Sequence, residues 1–119
     1  MKYLCLIFSD ESAWGKMSTE EMGARHAEYG AFTKGIRDSG QFLGGEALQP
    51  VATATTVRVR KGKVSTTDGP FVETKEQLGG YYLIEARDLN DAIQVASRIP
   101  GASHGAIEVR PIMDTSSSM

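Results

Sequence analysis

A chain of 119 residues is one domain by length, large enough to bury about two thirds of its unfolded surface without a disulfide or metal to hold it. Its 40% apolar and 24% charged residues are those of an ordinary soluble globular fold, and a formal net charge of −2 with scattered basic residues excludes a general nucleic-acid or polyanion binder. No segment approaches the ~18 consecutive apolar residues of a membrane-spanning helix, so no membrane partner is expected.

The run Tyr3-Leu4-Cys5-Leu6-Ile7-Phe8 predicts a first strand over Lys2 to Phe8, apolar on both faces and therefore central. One Lys precedes it and Ser9-Asp10-Glu11 follows without a small-residue cleavage site, so it reads as a strand and not as a secretion signal. Cys5, the single cysteine, reads as a small buried hydrophobe of a reducing compartment, with a reactive thiol as the other reading. A cytoplasmic location is expected.

After a loop from Ser9 to Lys16, Ser18-Thr19-Glu20-Glu21 forms a capping box that starts a helix, and Ser39-Gly40 stops it. Met22, Tyr29, Phe32 and Ile36 fall on one narrow stripe of that helix, with His26 on its flank. Gln41 to Leu48 predicts a short strand kinked at Gly44-Gly45. Thr55 to Thr66 predicts a hairpin turning at Lys61-Gly62, and its polar alternation marks one solvated face.

Next comes the box Thr67-Asp68-Gly69-Pro70-Phe71-Val72-Glu73-Thr74-Lys75-Glu76. Proline lacks the amide donor and fixes φ, glycine permits positive φ, and together they force a turn. Phe71 then offers one large apolar anchor, while Glu73, Lys75 and Glu76 project alternating charge. Gly80 to Ala86 predicts another apolar strand. Asp88 caps a second helix with Leu89, Ile93 and Ala96 spaced for a buried face, and Pro100-Gly101 ends it. Ile107 to Met113 closes a domain of residues 1–113, ahead of a flexible tail over 114–119.

This order of elements is two split βαβ halves with an inserted hairpin, a ferredoxin-like α+β sandwich. Both helices cover one sheet face. The first and fifth strands are too apolar to leave the other face in water, which predicts a homodimer packed sheet to sheet.

Met1-Lys2-Tyr3, Gly45-Glu46-Ala47-Leu48-Gln49-Pro50, Thr55-Thr56-Val57-Arg58, the Asp68 to Glu76 box, Gly79-Gly80-Tyr81-Tyr82 and Glu108-Val109-Arg110-Pro111-Ile112 occur in that order. In these segments, which span nearly the whole chain, the sequence resembles the DGPF-type branch of the YCII-related proteins. The resemblance implies a dimeric α+β barrel. Many YCII-related proteins carry a His on the first helix and an Asp just after the second, a pair suited to proton transfer. The matching positions here hold Tyr29 and Ile99, so the pair does not carry over.

The remaining candidates read in two ways each. Asp68 is a general base beside the Phe71 ring, or a carboxylate accepting from its own turn. Glu73 and Lys75, with Glu76, line a cleft rim or form a solvated connection. Tyr29 is a core residue or a phenol that donates to a ligand. Arg25, one turn earlier on the same stripe, meets a carboxylate or other anion, or snorkels to water. His104, in the loop Gly101-Ala102-Ser103-His104-Gly105, is the better-placed of two imidazoles for proton transfer. His26 and His104 show no metal-ligand spacing, and no phosphate loop, nucleophile elbow or dinucleotide fingerprint is present. No metal or cofactor is expected.

Two functions follow. One is cofactor-free acid/base chemistry on a small polar or aromatic metabolite, in a cleft between the first helix, the Asp68 to Glu76 loop and the His104 loop. The other is a non-catalytic dimeric binding or regulatory module. For the latter, the resemblance implies a stress-response role beside extracytoplasmic-function sigma factors.

Overall fold

A computed structural model describes residues 1–115. In chain order it contains β1 (Lys2–Ser9), α1 (Glu11–Trp14), α2 (Thr19–Asp38), β2 (Phe42–Ala47), β3 (Thr55–Arg60), β4 (Lys63–Asp68), β5 (Gln77–Glu85), α3 (Leu89–Ser97) and β6 (Ala106–Pro111), with single 3₁₀ turns at Val51–Thr53 and Pro100–Ser103. From residue 116 on, the expected tail lies outside the described residues.

Four strands form one antiparallel sheet in the order β2-β5-β1-β6, with β1 central as its apolar run requires. Each outer strand is separated from its parallel mate by one antiparallel strand, which is the split βαβ arrangement of an α+β ferredoxin-like fold. α2 begins at its capping box: the Glu21 amide donates to Ser18 Oγ at 3.1 Å and the Ser18 amide donates to Glu21 Oε1 at 3.4 Å. It ends at Gly40, whose φ of 77° lets the Gly40 and Gln41 amides fold back onto the carbonyls of Arg37 and Ile36.

The core lies between the sheet and α2 and α3. Tyr3, Cys5 and Ile7 of β1 point into it with Tyr82 and Ile84 of β5, because side chains alternate across a strand. From α2, Ile36 is fully buried and Phe32 meets the Tyr82 ring edge-on at 5.1 Å, while the Tyr82 and Thr33 hydroxyls share a 2.7 Å hydrogen bond. The buried face of α3 differs from the expected one. Ala92, Val95 and Ala96 face the sheet, and Leu89 and Ile93 are about half exposed. The two alanines let this short helix approach closely, so the larger side chains turn outward.

Cys5 is fully enclosed, and burial pushes its thiol up to about 11 from a usual 9.0. The folded state then disfavours the thiolate. Its stabilisation is complete below the unfolded value and is lost as pH rises from 9 through about 11. We expect the stability advantage of wild type over Cys5→Ala, read by urea unfolding, to shrink across that window, and native Cys5 to resist a thiol reagent at neutral pH. Reaction at the rate of a free thiol would contradict the burial.

The opposite sheet face carries the cross-strand pairs Leu4/Leu83, Leu6/Tyr81 and Phe8/Leu78. These are partly exposed, shielded chiefly by one another. β3 and β4 form a separate two-stranded sheet whose turn, Lys61 at φ 51° and Gly62 at φ 75°, has the two positive φ angles of a hairpin turn. Val57, Val59 and Val64 share one face of this hairpin and are 55–69% exposed, so both of its faces meet solvent instead of one. Among the described residues no helix is long and apolar enough to cross a membrane.

Candidate functional site

Where β1 ends, the chain doubles back over the inner sheet face. Asp10 starts α1 by accepting from the Ser12 amide at 2.9 Å and the Ser12 hydroxyl at 2.7 Å. These two bonds, with the charges of Lys16 and Lys75 adding to them, hold its carboxyl below the usual range. α1 is pinned at both sides: the Glu11 amide donates to Gln77 Oε1 at 2.9 Å, and Glu11 Oε2 accepts from the Val51 amide at 3.0 Å. The indole N–H of Trp14 donates to Ser9 Oγ at 3.1 Å, turning the ring toward β1.

Between this short helix, the first half of α2 and the Pro100–Ser103 turn lies a cavity of about 200 Å³. Ser9, Asp10, Trp14, Glu21, Arg25, Tyr29 and His104 supply its polar lining, and Ile7, Ala13, Met17 and Gly101 the rest. Gly101 is buried against Tyr29: a Cβ there would stand 2.8 Å from Tyr29 Oη and 3.0 Å from Ile7 Cγ2. Burial raises the Tyr29 phenol, partly offset by a hydrogen bond from the Gly101 backbone. The phenol therefore keeps its proton at neutral pH.

Arg25 has Glu21 one turn earlier on α2, the spacing of a helical ion pair. Among the described residues it makes none. Its guanidinium lies 5.3 Å above the Trp14 ring instead, and the Glu21 carboxylate is directed to the Ser18 amide. His104 closes the cavity from the other side. Its amide donates to the Gly101 carbonyl at 3.1 Å, which fixes the loop and leaves the imidazole exposed.

Of the residues singled out in the sequence, the cavity unites Arg25, Tyr29 and His104. Asp68, Phe71, Glu73 and Lys75 are not among its lining residues. Asp68 is the last residue of β4, opposite Thr55, and the turn after it is closed by backbone: the Gly69 amide donates to the Ala54 carbonyl at 2.8 Å, and Thr56 Oγ1 donates to the Gly69 carbonyl at 2.9 Å. Gly69 has a φ of 103°, the region glycine alone enters freely. Phe71 is 72% exposed, with the Arg58 guanidinium 4.9 Å over its ring. Glu73 and Lys75 are exposed, and Lys75 reaches the cavity only through its charge on Asp10. His26 is exposed on α2.

Sequence reading missed Ser9, Asp10, Trp14 and Met17. One signal was available. Asp10-Glu11-Ser12 has the short acid-to-hydroxyl spacing of a helix cap, and a helix there carries the lone tryptophan back toward β1. Among the described residues no group of three or more His, Cys, Asp or Glu is arranged to hold a metal ion.

A model of the YCII-related domain matches residues 1–116. An uncharacterized protein of Rhizobium meliloti (strain 1021) is 36% identical over 114 residues, covering 94% of this chain and 92% of that protein. With nearly its full length matched on both counts, the chain belongs to the YCII-related family.

Proposed function

We propose that the cavity between α1, α2 and the His104 loop binds a small polar or aromatic molecule and moves a proton on it without a cofactor. The observation that carries this reading is the convergence of Arg25, Tyr29 and His104 on one cavity. Tyr29 supplies a proton-bearing phenol, His104 an imidazole for proton transfer, and Arg25 a cation for orientation. Screening a metabolite library by thermal shift, then assaying hits for turnover, tests it. His104→Gln and Tyr29→Phe are each expected to lower turnover by about 100-fold while binding persists, since one acid/base group contributes about that much. Asp68→Asn should leave turnover unchanged. Equal rates in all three variants would rule out this assignment.

A non-catalytic binding or regulatory module is the second reading. The commitment of Asp10 and Glu21 to helix caps favours it, because neither carboxylate backs the His104 imidazole as an orienting partner. The Asp68 to Glu76 box supports placement in the DGPF-type branch, and with it an accessory role beside a stress-response sigma factor in the cytoplasm.

The working unit in this reading is a homodimer closed over the second sheet face, where Leu4, Leu6, Phe8, Leu78, Tyr81 and Leu83 form one apolar surface. Leu6→Glu, at the centre of that face, is expected to halve the mass measured by sedimentation at micromolar concentration while the far-ultraviolet spectrum is kept. A monomer mass for wild type would overturn the dimer.

A further inference from the structure

Resting on the small-molecule site proposed above, we infer that its ligand is a carboxylate borne on a single ring or a chain of similar bulk, gripped by Arg25. The cavity wall offers a ligand several hydrogen-bond donors beside Arg25. Arg25 presents five N–H donors in a planar fork, and among the described residues no ion pair occupies it. Tyr29 lines the cavity with its phenol and has an O–H to give. Ser9 Oγ accepts from Trp14 and likewise retains a proton to donate. Each of the two carboxylates on the wall has one oxygen engaged at a helix start, Asp10 Oδ1 at α1 and Glu21 Oε1 at α2.

A carboxylate head matches the Arg25 fork, which it can take with two parallel bonds. An ammonium group would meet Arg25 as a like charge, and a neutral amide would forgo the charge-assisted bond to it. The Trp14 ring 5.3 Å beneath the guanidinium carbon restrains the side chain before any ligand arrives, so less rotamer freedom is lost on binding. Size sets the rest of the molecule. A cavity of about 200 Å³ exceeds the roughly 150 Å³ that accommodates a benzene ring, and Ile7, Ala13 and Met17 line it with apolar surface. One ring and one carboxylate suit that space, whereas a nucleotide exceeds it.

Trp14 is the only tryptophan of the chain, so its emission reports this cavity directly. Titrating the intact protein with benzoate and with benzamide, which share a ring but differ in charge, tests the inference. Benzoate is expected to change Trp14 emission saturably and to bind at least about tenfold more tightly than benzamide, the margin of one charge-assisted contact. In Arg25→Gln, benzoate binding should weaken by about tenfold or more and benzamide binding should stay within about twofold, with Arg25→Lys recovering part of the loss. Equal affinity for the two probes, or benzoate binding untouched by Arg25→Gln, overturns the carboxylate inference and leaves a small-molecule site standing. Silence of Trp14 to both probes up to about 10 mM also overturns it; hits in the metabolite screen then decide the broader reading separately. Should Arg25→Gln fail to fold, the comparison of the two probes on wild type decides alone.

Discussion

Gly105→Ala is expected to destabilise the protein by about 3 kcal/mol or more, at the upper end of what overpacking costs. A Cβ at this position would lie 2.1 Å from the Phe8 carbonyl oxygen and 3.1 Å from both Phe8 C and Ser9 Cα. Those atoms belong to β1, and Phe8 is paired with Ala106 on one side and Leu78 on the other, so they cannot swing aside as a side chain would. The clash has to be absorbed by moving a central strand. A domain of this size holds roughly 5–15 kcal/mol in total, so the fall in Tm should be of the order of 10 °C. Thermal unfolding followed by circular dichroism measures it. The same displacement would shift Ser9, and with it the anchor of the Trp14 ring. An unchanged Tm would contradict the close approach of the His104 loop to β1.

Ile84→Ala is the second large loss, about 2–5 kcal/mol by the usual cost of emptying a buried branched side chain. Ile84 has no exposure, faces Tyr3 across β1 and Phe42 across β2, and fills the core with Ile36. Little of the space it leaves can collapse, because the strands on both sides are hydrogen-bonded to β5. Val57→Ala on the hairpin, where the side chain is 61% exposed, should change stability by no more than about 0.5 kcal/mol. Urea unfolding of the two variants reads the contrast. Equal effects would mean that the hairpin valines are packed against something, or that the core lies elsewhere.

Much of this architecture was legible in the chain because its signals are local. The capping box at Ser18 and Glu21, the glycine stop at Gly40, the Lys61-Gly62 turn and the Asp88 cap each act within a few residues, and each stands where its chemistry requires. α1 escaped notice because four residues are too few to show a helical period. The face of α3 was read right at Ala96 and wrong at Leu89 and Ile93 for a related reason: periodicity ranks side chains by apolarity, yet Ala92 and Val95 are the residues that join Ala96 against the sheet.

The site divides along the same line. Arg25 and Tyr29 share a helix face, so their proximity could be read from spacing alone. His104 joins them only through the path of the chain after α3. The Asp68 to Glu76 box is the strongest mark of family resemblance in the chain, but it sits at the root of the hairpin, away from the cavity wall. Its turn is held by a backbone bond to the Ala54 carbonyl and by the Thr56 hydroxyl. A recognisable motif speaks for a shared fold, and which residues meet in a cavity is settled by packing between distant segments.

The most direct test of the account is to map a bound ligand residue by residue, using amide and indole N–H shifts of the labelled protein with the first hit from the metabolite screen at saturation. The account predicts the largest shifts at Ser9, the Trp14 indole, Arg25, Tyr29, Gly101 and His104. Largest shifts at Asp68 to Glu76 or along β3 and β4, with those cavity residues unmoved, would contradict it.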